Sequence, residues 1–215
     1  MNIWNEFKTN KHKVIHKWTQ YFPVYEKILA EWKNKTINVL EIGVLDGGSL
    51  ELWHRYFGPQ ATIIGIDNHA QPNSQGLVFD SPCINFRKGN QSDTNFLSSL
   101  VQEFGEFDIV IDDGSHISSD VIESFKFLYP YVSKNGLYII EDTHTSYWNS
   151  HGGGLKLPNT TIEYAKDLID ELNAIHTKIL PESEFSNNTH SITFYDSMIV
   201  FQKGGMKWKQ AVSSI

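Results

Sequence analysis

Two aspartates and a histidine stand together where an apolar run ends. Residues 107–116 read FDIVIDDGSH, so Asp112, Asp113 and His116 follow a segment that is typical of a buried strand. Adjacent side chains of a strand point to opposite faces, so the two aspartates can serve different partners. We expect Asp112 to face a bound cofactor and Asp113 to face a metal ion. An imidazole, with an ordinary pKa of about 6.5, suits proton transfer, which makes His116 the candidate general base.

A second acidic pair, Glu141 and Asp142, follows the apolar run 136–140. In the usual doubly wound order this run lies beside the one that ends at Asp113, so three carboxylates are expected to converge. Such a group repels itself unless a cation lies among its members, and oxygen ligands favour a hard ion such as Mg²⁺. Each pair taken singly is also common at the start of a loop. Only the combination predicts a metal site held by Asp113, Glu141 and Asp142.

Three other segments, each at the end of a predicted strand, contain residues that could bind a nucleoside. In residues 41–49, EIGVLDGGS, glycines permit a sharp turn before a helix whose N-terminus offers free N–H groups. An acidic residue about 20 positions further on can accept the hydroxyls of a ribose. The polar stretch 88–93, KGNQSD, is suited to the edge of an adenine. The predicted cofactor contacts are Glu41, Gly43, Gly47, Ser49, Asp67, Gln91 and Asp112.

The cofactor that fits this set is S-adenosylmethionine (SAM) rather than NAD. The motif GxGxxG of dinucleotide-binding folds is absent from the turn at 41–49. Glu41 and Asp112 could hold an ammonium group, whereas they would repel a pyrophosphate. Singly, glycines and acids at strand ends are ordinary turn chemistry.

The elements that must position these residues alternate in type. Short β-branched runs are predicted as strands, and amphipathic stretches between them are predicted as helices. Strands that are apolar on both faces indicate a parallel sheet covered on both sides, so the predicted fold is doubly wound α/β with a C-terminal antiparallel hairpin at 190–204. The predicted strands are 37–43, 61–67, 83–89, 107–112 and 136–142, and the predicted helices are 49–57, 93–103, 119–131 and 161–176.

Outside this alternation the sequence predicts a helical arm, a lid and a tail. Apolar residues at spacings of three and four in 12–33 predict an amphipathic helix that Pro23 divides in two. The long glycine-rich stretch 143–160 is typical of a loop that closes over a site, with Tyr147 and Trp148 offering apolar faces to a substrate. The expected division is an arm at 1–36, a main domain at 37–204 and a tail at 205–215.

Charge and composition narrow the class of protein. The 215 residues carry a net charge of −7, which disfavours a nucleic-acid partner. Seven lysines against three glutamates give residues 1–36 a net +4, which leaves −11 on the remainder. The single cysteine, the absence of a signal-peptide pattern and the lack of a long apolar run predict a cytoplasmic protein without a membrane span.

Several of these motifs resemble a known family. The stretches VLEIGVLDGGSLELW, IVIDDGSH, GLYIIEDTHTSYW and FYDSMIVFQK are similar to those of the metal-dependent sugar O-methyltransferases of the macrocin and mycinamicin type, and more distantly to the cephalosporin-hydroxylase-like group. The resemblance implies a seven-stranded class I methyltransferase fold, SAM as methyl donor, Mg²⁺ on the three carboxylates and His116 as base. It also implies an N-terminal arm that helps to cover the site and to form a homo-oligomer. Where the family usually has Gly-Asp-Gln, this chain has Gly89-Asn90-Gln91.

The expected reaction is methyl transfer from SAM to a hydroxyl of a sugar carried on a nucleotide, a polysaccharide or a natural product. Two alternatives remain at this point. A metal-dependent hydroxylase would need a redox metal, yet no two-histidine, one-carboxylate set is evident. A SAM- or nucleoside-binding module without catalysis would have no need of His116 or the carboxylates.

Overall fold

The computed structural model describes residues 2–11, 13–68, 77–204 and 211–214. These contain a seven-stranded sheet in the order β3-β2-β1-β4-β5-β7-β6, in which β1 to β5 are parallel, β7 runs antiparallel to β5, and β6 pairs antiparallel with β7. The predicted doubly wound fold with its C-terminal hairpin is therefore confirmed. The strands are β1 (Asn38–Ile42), β2 (Thr62–Asp67), β3 (Ile84–Lys88), β4 (Phe107–Asp112), β5 (Val132–Ile140), β6 (Thr189–Tyr195) and β7 (Met198–Lys203).

The central strands are apolar on both faces because helices cover both sides of the sheet. Adjacent residues of β4 face opposite sides of the sheet, so Ile109 and Val110 belong to two separate hydrophobic clusters. The helices are α1 (Ile3–Lys8), α2 (Tyr21–Leu29), α3 (Gly48–Phe57), α4 (Thr94–Phe104), α5 (Ser118–Leu128), α6 (Thr161–Leu172), α7 (Ala174–Thr177) and α8 (Glu184–Asn188). Residues of α1 to α3 pack on the first face, and residues of α4 to α6 pack on the second.

The N-terminal arm differs from the predicted divided helix. Helix α2 begins only at Tyr21, and Pro23 lies in its first turn. Backbone N–H groups of the first turn have no acceptor within the helix, so a proline there costs no hydrogen bond. Residues 13–18 are not helical. They run along the body of the protein, where the Val14 amide donates to Asp46 at 3.1 Å. Helix α1, which the sequence pattern did not indicate, is capped by the Asn2 side chain.

Two other predictions have mixed outcomes. The predicted helix 161–176 ends at Leu172, and α7 follows after Asn173. The stretch 143–160 folds into two short 3-10 turns, Thr143–Tyr147 and Asn149–His151. Closure of this stretch over a substrate stays a prediction.

The predicted division of the chain is not tested by the structure. Ile3 and Tyr25 of the arm share one hydrophobic cluster with β1 and α3, so the division at residue 36 stays a prediction. Of the predicted tail, residues 205–210 and 215 lie outside the described residues. No helix in the described ranges is long and apolar enough to cross a membrane.

Candidate active site

The predicted site residues gather at one edge of the sheet. Strands β1 and β4 are neighbours although α3, β2, β3 and α4 lie between them in the chain, so the strand order reverses between these two strands. Ligands of open α/β folds bind outside the carboxyl ends of the strands at such a point. Asp112 pairs with Ile42 of β1 and with Ile140 of β5, which brings the ends of all three strands level.

Two cavities open at this edge and share the residues Gly43, Asp67 and Gly114. The first, of about 260 Å³, is also lined by residues 14–17, Ser49, Asp113, His116 and Asp142. The second, of about 380 Å³, is lined by Ile42, Ile66, Asn68, Gly89, Asn90, Gln91, Ser115, Ile117 and Asp120. The first thus combines acidic side chains with apolar ones such as Ile15 and Val44, while the second joins apolar walls to amide side chains. This pairing suits a cationic tail in one cavity and a flat base in the other.

Gly43 lies where the two cavities meet, and its backbone requires a glycine. Its φ is +86°, and a Cβ there would lie 2.0 Å from the carbonyl oxygen of Asp113. The next two amides, of Val44 and Leu45, donate to Asp67 Oδ2 at 2.9 and 3.1 Å. Asp67 therefore fixes the turn after β1 and also lines both cavities.

Gly47 and Ser49, the other two predicted cofactor residues of this turn, lie at the start of α3. Gly47 precedes the helix in a left-handed conformation and lines neither cavity, because the ring of Phe79 covers it. Ser49 lines the first cavity and donates to Glu41 at 2.6 Å.

The adjacent aspartates face opposite sides of the sheet, as strand alternation predicts. Asp112 is buried on the side of α5 and accepts hydrogen bonds from Ser124 at 2.7 Å and from Tyr138 at 3.2 Å. It lines neither cavity, so its placement does not support the predicted direct contact with a cofactor. Instead it accepts from Gln91 Nε2 at 3.2 Å, and Gln91 in turn accepts the Ser115 amide at 2.7 Å. Gln91 lines the second cavity, and its contact with a cofactor stays a prediction.

On the other face, Asp113, His116 and Asp142 form a group whose ligand atoms all lie within 4.8 Å of one another. His116 Nε2 is 3.8 Å from Asp113 Oδ1 and 3.6 Å from Asp142 Oδ2. Both His116 and Asp142 have a left-handed backbone, with φ of 57° and 52°. Residues other than glycine rarely adopt this conformation, and it concentrates at functional sites.

Glu41 and Glu141 complete the acidic edge but lie deeper, and neither lines the cavities. Between them lies the ammonium of Lys17, 2.6 Å from Asp113 Oδ2, 2.6 Å from Glu141 Oε1 and 3.3 Å from Glu41 Oε1. Glu41 therefore does hold an ammonium, that of a lysine. Glu141 contacts Lys17 and is not part of the group of Asp113, His116 and Asp142, so the predicted set of three carboxylates is only partly assembled.

Burial dominates the electrostatics of this edge. It raises the pKa of Glu141 to about 8, and the nearby charge of Asp113 adds to the effect while Lys17 opposes it. Burial also raises the pKa of Glu41, against the influence of Lys17. For Lys17 itself, burial alone would lower the pKa, but Asp113 and the two glutamates outweigh it and raise the pKa. The acidic groups at this edge still outnumber the single ammonium, which favours a further cation.

Two tyrosines of α2 form hydrogen bonds with the Glu141–Asp142 pair. The Tyr21 hydroxyl donates to Asp142 Oδ1 at 2.5 Å and accepts the Asp142 amide at 3.1 Å. The Tyr25 hydroxyl donates to Glu141. The N-terminal arm therefore orients both residues of the Glu141–Asp142 pair.

An aromatic row leads away from Asp142 along the stretch 143–151. His144 packs edge-to-face against Trp18, and its ring centroid is 4.6 Å from that of Trp148. Trp18, Tyr147 and Trp148 are each about half exposed. This row is a ready apolar surface for the ring of a substrate.

Sequence reasoning missed Lys17, although the clustering of carboxylates correctly indicated that a cation is required among them. Nothing in the local pattern separates Lys17 from the six other lysines of residues 1–36. The signal in the sequence is the opposite charge of the arm and the acidic body, which predicts attraction between them but identifies no pair of residues.

Known proteins resemble the chain in sequence. It is 36% identical over 178 residues to mycinamicin VI 2''-O-methyltransferase of Micromonospora griseorubida, a match that covers 78% of this chain and 42% of the relative. It is 36% identical over 182 residues to demethylmacrocin O-methyltransferase of Streptomyces fradiae, with 78% and 43% covered. The chain thus spans less than half the length of these relatives. No protein-family model matches it.

A solved structure agrees with the sequence matches. MycE methyltransferase from the mycinamycin biosynthetic pathway, in complex with Mg and SAH, superposes with a TM-score of 0.78 at 32% identity and covers 94% of this chain and 54% of that one. By sequence and by fold, the homologues of this chain are macrocin- and mycinamicin-type sugar O-methyltransferases.

Proposed function

We propose that the chain transfers a methyl group from SAM to a hydroxyl of a sugar, with Mg²⁺ as an essential ion. The observation that carries this proposal is the group of Asp113, His116 and Asp142 at the mouth of a two-part cavity at the carboxyl edge of the sheet. The relatives, one of them solved with Mg and SAH, support it. Since the chain spans only about half of these relatives, the activity is proposed for the described domain.

The donor set fits a hard divalent ion. Carboxylate oxygens are the preferred ligands of Mg²⁺, and Asp113 and Asp142 present theirs side by side. We propose these two, together with Glu141, as the residues that hold the ion. Glu141 reaches it only after leaving Lys17. A bound divalent ion would lower the pKa of a substrate hydroxyl and orient it.

The two cavities fit the two ends of SAM. We assign the adenosine to the second cavity, where Gln91 and Asn90 offer amides and Ile117 an apolar wall. Asp67, which lines both cavities, is placed to accept ribose hydroxyls. The methionine end, with its positive sulfonium and ammonium, then falls in the first cavity beside Asp113.

His116 is the proposed general base. Its imidazole lies between two carboxylates that can orient it and stabilise the imidazolium once it has accepted a proton. The proton of the substrate hydroxyl passes to His116, the oxygen forms a bond to the methyl carbon, and the bond from that carbon to sulfur breaks to leave S-adenosylhomocysteine. Most of the acceleration comes from positioning the two reactants in line.

The acceptor is proposed to be a glycoside that packs on Trp18 and Trp148. Within the described ranges, the site is lined by acids, and Lys17 is already held by three carboxylates. Apart from the proposed ion, the diphosphate of a nucleotide sugar would meet mainly carboxylates there, so we favour a sugar carried on an uncharged natural product. A nucleic-acid acceptor is disfavoured for the same reason and by the net charge of −7.

One assay tests the proposal. The protein is incubated with SAM and a panel of glycosides and nucleotide sugars, with Mg²⁺ or with EDTA, and S-adenosylhomocysteine is measured. We expect turnover on an uncharged glycoside with Mg²⁺ and none with EDTA. Turnover without a metal would overturn the mechanism. Tight SAM binding without turnover on any sugar would favour a non-catalytic binding module.

Self-association through the arm and a cytoplasmic location complete the proposal. Ile3, Trp4, Phe22 and Pro23 line a largely apolar cavity of about 460 Å³ on the outer side of the arm. A second copy is the proposed occupant, because the cavity is largely apolar and the resemblance of the sequence motifs implies an arm that forms a homo-oligomer. Light scattering of the intact chain and of a Trp4→Glu variant tests this, and equal masses would contradict it.

A further inference from the structure

The side chain of Lys17 is buried beside the candidate site, and its ammonium is fully hydrogen-bonded. Its side chain is 3% exposed, and its ammonium has three hydrogen bonds, one each to Asp113, Glu141 and Glu41. An ammonium has three N–H donors, so all of them are used. The carbon stem passes along the first cavity, of which Lys17 is a lining residue.

Two of these three carboxylates belong to the proposed metal set. Lys17 Nζ is 2.6 Å from Asp113 Oδ2 and 2.6 Å from Glu141 Oε1, so it lies between them. Mg²⁺ would require oxygen ligands at about 2.0–2.1 Å. The ammonium binds Asp113 through Oδ2, while Oδ1 faces His116, so the ligand oxygen that it takes from the proposed ion is Oε1 of Glu141. Its charge also repels the ion.

We propose that Lys17 is a positioning residue that competes with the divalent metal for Asp113 and Glu141. The inference rests on the proposed metal site but not on the identity of the methyl acceptor. Lys17 holds the two carboxylates together against their mutual repulsion, and metal binding displaces its ammonium. The adjoining cavity of about 260 Å³ gives the displaced group room. Glu141 is then released to turn toward Asp142.

A purely structural Lys17 would behave in the opposite way. If the ammonium were a fixed part of the site, its loss would leave the carboxylates to repel one another, and the metal set would become less ordered. A variant without the charge would then bind the metal more weakly or unchanged. Competition predicts tighter binding, so the sign of the change separates the two roles.

The first experiment measures metal affinity without SAM or sugar. Mn²⁺ and Mg²⁺ are titrated by calorimetry into the intact wild-type chain, Lys17→Gln and the control Lys13→Gln. Lys13 lies on the same segment but pairs with Glu51 at 2.8 Å, away from the carboxylate cluster. We expect Lys17→Gln to bind about tenfold more tightly, on the scale by which one nearby like charge shifts an equilibrium. Lys13→Gln should match the wild type, and equal or weaker binding by Lys17→Gln overturns the proposal.

The second experiment needs no variant, so it stands even if Lys17→Gln fails to fold. Wild-type protein is acetylated briefly with an amine-reactive ester with and without Mg²⁺, and the modified lysines are mapped by mass spectrometry. Lys17 should react slowly without the ion and several-fold faster with it, while Lys13 serves as the internal reference. Reactivity of Lys17 that Mg²⁺ leaves unchanged or lowers would contradict displacement.

The outcomes are distinguishable from failure of the proposed function. Metal binding of equal strength in wild type and Lys17→Gln overturns the competition and leaves the methyltransferase proposal intact. No metal binding to either protein overturns both the competition and the proposed metal site. Tighter binding by Lys17→Gln without methyl transfer to any sugar supports the competition and overturns the proposed reaction alone.

Discussion

Four acidic residues of the candidate site differ in what they touch, although they form two adjacent pairs in two short motifs. Asp113 faces the arm and the cavity, while Asp112 faces the opposite side of the sheet and has no access to either cavity. Asp142 lies beside His116, whereas Glu141 is turned to Lys17. At the residue scale, function follows from which face of a strand end a carboxylate occupies.

Replacement of His116 is expected to reduce the rate of methyl transfer by about a hundredfold to ten-thousandfold, because proton removal by a positioned base contributes that much. His116→Asn removes the base and keeps a small polar group in the left-handed backbone that asparagine tolerates. The rate is measured on the glycoside that supports turnover, and SAM affinity is measured by calorimetry. His176→Asn on α7 is the control. Full activity of His116→Asn would exclude His116 as the base.

Loss of the charge of Asp142 would also be informative at this scale. Asp142→Asn keeps the shape of the side chain and its contact with the Tyr21 hydroxyl. It removes one charge of the proposed metal set, so we expect weaker Mg²⁺ binding by about tenfold, measured by calorimetry. Asp120→Asn, at the other cavity, should leave Mg²⁺ affinity unchanged. Equal affinity in Asp142→Asn and wild type would remove Asp142 from the metal set.

At the element scale, the backbone of the turn between β1 and α3 packs closely against the backbone that follows β4. Gly43 lies against the carbonyl of Asp113, so this turn and the end of β4 are in direct contact. The arm completes the arrangement, since residues 13–15 pack on Gly48 and α2 supplies two tyrosine hydroxyls to the end of β5.

Gly43→Ala should be strongly destabilising. A left-handed alanine costs about 1 to 2 kcal/mol, and the overlap with the Asp113 carbonyl adds to it, so we expect a loss of about 3 kcal/mol or more in the free energy of unfolding. Gly152→Ala is the matched control: its φ is +72°, yet a Cβ there meets nothing within 4 Å. Urea unfolding of both variants measures the difference. Equal losses would show that the close approach at Gly43 is unimportant.

Glu26 links three helices and makes the free energy of unfolding depend on pH. Burial alone would raise the pKa of Glu26, but hydrogen bonds from the Ile3 amide and Lys33 outweigh it and lower the pKa below its ordinary 4.5. A lowered pKa in the folded state means that the stabilisation is fully present above 4.5 and is lost as the pH falls through the folded value.

Glu26→Gln should therefore lower the free energy of unfolding at pH 7 by about 0.5 to 1 kcal/mol, a small value because solvent screens this partly exposed group. The difference from wild type should begin to shrink as the pH falls below 4.5, where the unfolded chain takes up a proton, and should be lost once the pH is below the folded pKa. Thermal unfolding between pH 3.5 and 7 measures it. A difference that persists undiminished at low pH would show that charge is not its origin.

The whole molecule is an acidic body that a basic arm partly covers. Lys13 and Lys17 of the arm pair with carboxylates of α3, β1 and β5, which accounts for the uneven charge seen in the sequence. The arm and the two cavities together form one binding region, so a bound ligand should stabilise the protein as a unit.

SAM should raise the melting temperature substantially. A ligand at a hundredfold excess over its Kd stabilises by about 2.7 kcal/mol, which corresponds to roughly 5–10 °C for a domain of this size. Differential scanning fluorimetry with SAM, S-adenosylhomocysteine and NAD measures it. NAD should produce no shift, because the turn after β1 lacks the glycine pattern for a pyrophosphate. A shift with NAD that equals the shift with SAM would contradict the assignment of the cavities.

The sequence was sufficient to predict the parallel sheet, its hairpin and the opposite facing of Asp112 and Asp113, because apolar periodicity and strand alternation are local properties. It failed for residues 13–18, where the pattern of a helix is present but contacts with the body, such as Val14 with Asp46, stabilise a non-helical chain. It also failed for Lys17 and Glu141, whose pairing joins positions 124 residues apart. Partners of that kind depend on how the arm docks, which no local pattern encodes.

The chain of hydrogen bonds from Ser124 through Asp112 and Gln91 to the Ser115 amide has a consequence for how this protein can change. Ser124 lies wholly inside the protein on α5, yet its hydroxyl is connected to the loop that borders the second cavity. Random mutagenesis followed by selection for altered cofactor use should therefore return substitutions at Ser124. Such variants would resemble simple changes of core packing, while their effect would be on nucleoside discrimination.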